Sequence, residues 1–216
     1  MKKSLFTLAA LSAFAAGAYA QSSVTLFGVV DAAVRQVKNG SAGSQKQLAS
    51  GSNATSRWGL RGVEDLGGGL RAGFHLESGI SLDSGSSDAK FWGRRSTVSV
   101  MGNFGEVRMG RDYTPTAYNT FADELGIVGV GSRGIFSYGA GSNLGSPATT
   151  VLRVDNAVGY FLPSMGGLYG HLQMAAGEGG NGNKYVGGRL GYEAGPINVG
   201  FAYGKTETGA TTPDFK

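Results

Sequence analysis

The sequence predicts an all-β protein, a transmembrane antiparallel β-barrel, and three observations predict it. Apolar residues alternate with polar or small ones in successive runs whose length suits the about 9–11 residues that a tilted strand needs to cross a bilayer. Connections between the runs are alternately short and long, as in a barrel with tight turns at one end and longer external loops at the other. Arg and Glu sit on the face opposite the apolar one and need water, which in a closed barrel is inside, leaving the other face to lipid. The alternative is a soluble secreted sandwich or solenoid with one wet face.

Composition narrows the class. The chain has 39 glycines, five prolines, nine tyrosines, eleven phenylalanines and no cysteine. Without a G-x-y period it is not collagen, its aromatics set it apart from a featureless disordered chain, and it holds its fold without disulfides. Residues 1–20 read as a secretory leader: Lys2 and Lys3, an apolar run from Leu5 to Ala16, then the small-x-small site Ala18-Tyr19-Ala20. As a membrane anchor that run is too short. Removing the two leader lysines from the 19 basic residues leaves 17 against 15 acids, so the net charge falls from +4 to +2. A balance so close to neutral gives no argument for nucleic-acid binding.

Taken in order, Ser23 to Arg35 has the cleanest period of two, with Val24, Leu26, Gly28, Val30, Ala32 and Val34 on one face. Gln36 to Asn53 lacks periodicity and reads as a loop. From Ser56, Trp58, Leu60 and Gly62 oppose Arg57, Gly59 and Arg61; a turn follows at Glu64 to Gly69. Next, Leu70, Ala72, Phe74 and Leu76 oppose Arg71, Gly73, His75 and Glu77, and Ser81 to Ala89 is loop.

Phe91 to Arg111 is a hairpin turning at Asn103-Phe104-Gly105 and carrying Arg94, Arg95, Arg108 and Arg111. After it the periodicity stops from Asp112 to Thr150, a length uncommon in a compact domain unless the loop is functional. Four further strands follow: Arg153 to Leu162, with Val154, Val158 and Tyr160 on one face; Leu168 to Ala176; Tyr185 to Tyr192; and Ile197 to Lys205. That makes nine strands. Bacterial single-chain barrels have an even number, so residues 21–216 read as the N-terminal portion of a longer barrel unless Asp112 to Thr150 hides a strand.

Candidate chemistry is sparse. The histidines, His75 and His171, stand on different strands, and there is no H-E-x-x-H, G-x-S-x-G or GxxxxGK[ST]. The chain therefore reads as no enzyme, with no metal site and no cofactor. The arginines carry more, because at least five share the parity of the polar face of their own strand, which places them in one cavity. A ring of such charge in a narrow aqueous constriction favours anions.

The segments SSVTLFGVVDA, SRWGLRGVEDLGGGLRAGFHLESG, FWGRRS with NFGEVRMGRDYTP, and RVDNAVGY before a Pro turn resemble the general diffusion porins of Gram-negative β-proteobacteria. The resemblance covers nearly the whole mature chain. It implies a homotrimer of sixteen-stranded barrels in the bacterial outer membrane, in contact with its lipid bilayer and lipopolysaccharide. Each barrel would hold a water-filled pore for passive diffusion of ions and small hydrophilic solutes, mildly anion-selective and without a cofactor. It implies that residues 112–150 are the third external loop, folding into the pore. By motif the wall arginines fall on Arg57, Arg94 and Arg153, facing loop acids Asp123 and Glu124. Arg61, Arg95 and Arg111 complete the candidate wall. Between Arg94 and Arg95, the motif favours the first as the inward residue and parity from Val98 and Val100 the second. A surface-exposed structural or adhesive barrel without channel activity is the competing function.

Overall fold

The computed structural model describes residues 23–38, 40–121, 152–177 and 184–207. The leader, residues 122–151 with Asp123 and Glu124, and residues 208–216 lie outside the described residues. Nine strands form one antiparallel sheet: β1 (Ser23–Val29), β4 (Arg57–Gly67), β5 (Leu70–Gly79), β6 (Arg95–Gly102), β7 (Gly105–Tyr113), β8 (Arg153–Phe161), β9 (Leu168–Ala175), β10 (Lys184–Ala194) and β11 (Ile197–Glu207), each beside the next in that order. The nine strands expected from periodicity are these nine.

A separate hairpin, β2 (Ala32–Lys38) and β3 (Ser44–Ser50), stands between β1 and β4. The sequence reading differs here twice. Ser23 to Arg35 is not one strand but breaks at Val30 and Asp31, and the stretch from Gln36 read as loop contains most of the hairpin. The cause is Asp31, whose carboxylate accepts backbone N–H bonds from Ser52, Asn53 and Ala54 at 3.2, 2.8 and 2.6 Å. These bonds, Ala54's first, hold its pKa below the ordinary carboxylate value. The Ser56 hydroxyl adds a bond to the Asp31 carbonyl at 2.9 Å. Alternation continues through Asp31, but the chain turns away there.

Register fixes the two faces, because residues directly opposite each other in a ladder share a side. One row runs Val24, Gly62, Phe74, Val98, Met109, Val158, Met174, Val186 across eight strands, and a second runs Leu26, Leu60, Leu76. Leu26, Val98, Val158, Met174, Val199 and Phe201 are all exposed, an apolar outer surface that water would not tolerate and lipid does. The opposite face carries Thr25, Arg61, His75 and Thr97 in one row and Ser99, Arg108, Gly159 and Gln173 in another.

The turns joining β4 to β5, β6 to β7, β8 to β9 and β10 to β11 are the short ones. Gly67, Gly68 and Gly69 all have positive φ, as does Gly105 at 106°, where a Cβ would collide with the Phe161 carbonyl oxygen.

One strand departs from strict alternation. Asn156 has φ of 56° and the β7–β8 register shifts between Gly110 and Asp112, a bulge that turns the strand. Val154 is therefore buried at 2% exposure while Val158 is 44% exposed, which corrects the expectation that they share a face. Val154 clusters instead with Ala157, Ala175 and Tyr185.

The segment read as non-periodic from Asp112 begins as strand, since Asp112 and Tyr113 complete β7, and continues as a helix, α1 (Pro115–Phe121). Its start follows from sequence: the Thr114 hydroxyl accepts the Ala117 N–H at 3.2 Å, and Pro115 occupies the first helical position, where no N–H is needed. The helix lies against β9, β10 and β11.

Candidate functional site: a charged and aromatic inner wall

The polar face gathers its charges into two clusters. In the first, Glu77 accepts from Arg94 Nε at 2.5 Å, lies 3.3 Å from His75 Nε2, and has Arg57 Nε at 3.5 Å. Register explains the grouping, since Arg61 stands opposite His75 and Glu77 opposite both Gly59 and Arg95. Two guanidiniums thus share one carboxylate.

In the second cluster Arg108 binds Glu106 through Nε at 2.7 Å and Nη2 at 2.9 Å, a two-pronged pairing, and reaches Asp112 through Nη1 at 2.7 Å. Glu106, Arg108 and Asp112 are spaced two and four apart along β7, so a period of two puts them on one side. Ser99, opposite Arg108, donates to Glu106 at 2.6 Å, and Arg95 Nη2 lies 3.3 Å from Asp112. Asp112 itself is 2% exposed.

Arg94 and Arg95 both reach acids of this face. This is possible because β6 begins at Arg95, while Arg94 precedes the strand, where its backbone N–H donates to the Glu77 carbonyl at 3.2 Å.

Helix α1 joins the second cluster. Arg108 Nη1 donates to the Tyr118 hydroxyl at 3.1 Å, which donates to Asp112 at 3.3 Å. Burial first, then the Asp112 carboxylate, push the Tyr118 pKa up, so the hydroxyl stays a neutral donor. Below it the rings stack: Arg108 lies over Phe161 at 4.1 Å, Phe161 stacks on His171 at 4.3 Å and 9°, and Tyr118 meets His171 edge-on at 5.1 Å.

Arg111 and Arg153 lie elsewhere. Arg111 is opposite Ser96, in the row of Leu60 and Leu76, and binds Asp155 at 2.6 Å and the Gly93 carbonyl at 2.7 Å; Lys90 also pairs with Asp155. Beside them Trp58, Phe91 and Trp92 form an aromatic cluster with centroids 4.8 to 6.2 Å apart. Arg153 stands opposite Tyr113, over its ring at 4.3 Å and bonded to its hydroxyl at 2.6 Å. Tyr113 in turn meets Tyr118 edge-on at 5.6 Å. Arg61 lies over Phe27 at 5.2 Å.

Sequence reasoning left Glu77, Glu106, Arg108, Asp112 and Tyr118 out of the candidate site. The signal for the β7 trio was present in its period of two. Tyr118 was signalled only by the Thr114-Pro115 helix start.

A two-faced sheet with charge on one side and an apolar surface on the other has counterparts among known proteins. A family model described as Gram-negative porin matches residues 7–215. The chain belongs to this porin family. Outer membrane porin protein 32 of Delftia acidovorans is 42% identical, over 99% of this chain and 63% of that protein. An outer membrane porin protein of Bordetella pertussis is 35% identical over 78% of this chain and 46% of that one. Among solved structures, the anion-selective porin from Comamonas acidovorans superposes with a TM-score of 0.72 at 36% identity, covering 88% of this chain and 59% of that one.

This chain therefore spans less than two thirds of the length of the porins it matches. As a Gram-negative outer-membrane porin it puts its apolar rows against lipid. Its strands make part of a β-barrel wall, and the polar face is the side such a barrel turns inward.

Proposed function

We propose that the whole porin forms a water-filled outer-membrane channel for passive diffusion of ions and small hydrophilic solutes, with a mild preference for anions. The observation that carries this reading is the charge balance of the polar face. Arg57 and Arg94 share Glu77, Arg95 and Arg108 meet Asp112 and Glu106, and among the described residues Arg61 is held by a ring and not by an acid. The surplus is cationic, and a cleft with low-dielectric walls concentrates the resulting field. The anion-selective Comamonas relative, 36% identical, supports the same sign.

Residues 112–150 act as the third external loop and narrow the channel, with Asp123 and Glu124 facing the wall arginines across it. Support comes from α1, the described start of that segment, which packs against the sheet and bonds Arg108 and Asp112 through Tyr118. The opposed charges would set a transverse field that orients dipolar solutes. The channel works as a homotrimer among outer-membrane lipid and lipopolysaccharide and uses no catalytic residue.

The test is single-channel recording of the full-length protein in planar bilayers. Passive diffusion through water predicts a conductance that scales with the conductivity of the bathing salt. Absence of conductance steps would favour a structural or adhesive role.

A further inference from the structure

Arg189 is an arginine that the sequence reading did not place at the site, and its surroundings differ from those of the acid-paired arginines around Glu77 and Asp112. It lies in β10 directly opposite His171 of β9, in the polar-face row that also holds Phe161 and Glu106. Its guanidinium lies over Tyr169 at 4.5 Å and within 5.7 Å of the Tyr118 ring. Among the described residues no carboxylate lies within ion-pair distance of it, and its Nε is buried without a hydrogen-bond partner.

Arg108 supplies the contrast. It too lies over a ring, Phe161, but Glu106 and Asp112 neutralise it. An aromatic face holds a cation by its quadrupole and leaves the net charge in place, whereas a carboxylate cancels it. Arg189 is thus fixed in position, on the water side, with its fork of donors uncommitted. A planar guanidinium in that state suits an oxyanion, which can take two parallel N–H bonds.

We infer that Arg189, held between Tyr118 and Tyr169, is a specificity-determining station for small oxyanions, carboxylates and phosphate, beneath α1 and apart from the arginines around Glu77. The inference rests on the channel reading and deepens it. Solutes that enter past the Glu77 cluster meet a second cation, which favours forked oxyanions over chloride.

The experiment uses the full-length porin in planar bilayers with chloride as carrier and inorganic phosphate as competitor. The wild type should show chloride current depressed by phosphate in a saturable way. In Arg189→Gln the half-competing phosphate concentration should rise about tenfold, the scale on which one charge-assisted hydrogen bond acts. Arg189→Lys keeps the charge and lacks the fork, so it should retain the wild-type reversal potential in a KCl gradient while phosphate competition stays weakened. Acetate in place of phosphate should reproduce the pattern. Unchanged competition in Arg189→Gln, or Arg189→Lys matching wild type in both readouts, would overturn the inference, as would a conducting wild type that phosphate does not affect. A wild type with no current at all would instead sink the channel reading.

Discussion

Arg108 of β7 donates a hydrogen bond to the Tyr118 hydroxyl of α1 at 3.1 Å, and this ties the helix that follows β7 to the polar face of the sheet. Both residues also meet Asp112, at 2.7 Å from Arg108 Nη1 and 3.3 Å from the Tyr118 hydroxyl. One buried carboxylate therefore serves strand, neighbouring strand and helix together.

Asp112→Ala should be strongly destabilising. It leaves Arg95 and Arg108 without a shared acid, and breaking a buried ion pair from one side costs about 3–5 kcal/mol. Urea titration of the full-length protein in lipid vesicles measures this. Tyr118→Phe removes only the hydroxyl and should cost about 0.5–1.5 kcal/mol, while making the segment after Phe121 cleave faster under limited proteolysis. Equal effects from the two variants would show that Asp112 is not the hub.

The lipid face is tested by a neighbouring pair. Phe74 lies opposite Val98 and His75 opposite Thr97, on the two sides of one strand. Phe74→Arg should cost about 2–4 kcal/mol at the bilayer midplane, against little for His75→Arg on the wet side. Equal costs in vesicle refolding would overturn the face assignment.

The proposed anion preference is tested at two arginines that the sequence assigns to the wall. Replacing Arg57 and Arg153 together by Ser should move the reversal potential in a KCl gradient toward cation preference. A potential that stays put would mean these two side chains do not border the ion path.

The Asp31 latch carries a pH dependence. Its carboxylate pKa is lowered by the N–H groups of Ala54, Asn53 and Ser52, so the latch is fully present above the ordinary carboxylate pKa of about 3.9 and is lost as pH falls through the lowered value. Hydrogen exchange at Asn53 and Ala54, relative to intrinsic rates, should show protection at neutral pH that disappears in acid. Asp31→Ala should lack that protection at every pH. Protection in Asp31→Ala equal to wild type would place the latch elsewhere.

These relationships were legible in the sequence to different depths. The period of two along Val24 to Leu26, Leu60 to Gly62 and Phe74 to Leu76 marked the apolar face, because lipid and water on opposite sides of a strand impose it. The alternation in Arg153 to Tyr160 misled, since a bulge at Asn156 exchanges the faces without altering the pattern of letters. Asp31 turns the chain through bonds to residues 21 to 23 positions away, which no local window contains. The pairing of Arg94 and Arg57 with Glu77 needed the register as well as the parity. Arg111 shows the limit of reading a wall from a run of arginines: it belongs to a cationic hairpin, yet stands in the row of Leu60 and Leu76 and binds Asp155.

The most direct test of the central claim is the zero-current potential of the full-length porin across a planar bilayer with unequal KCl on the two sides. A cationic surplus on the polar face predicts a potential displaced toward the chloride equilibrium value, with the displacement shrinking as salt screens the wall. A potential displaced toward the potassium value would contradict it.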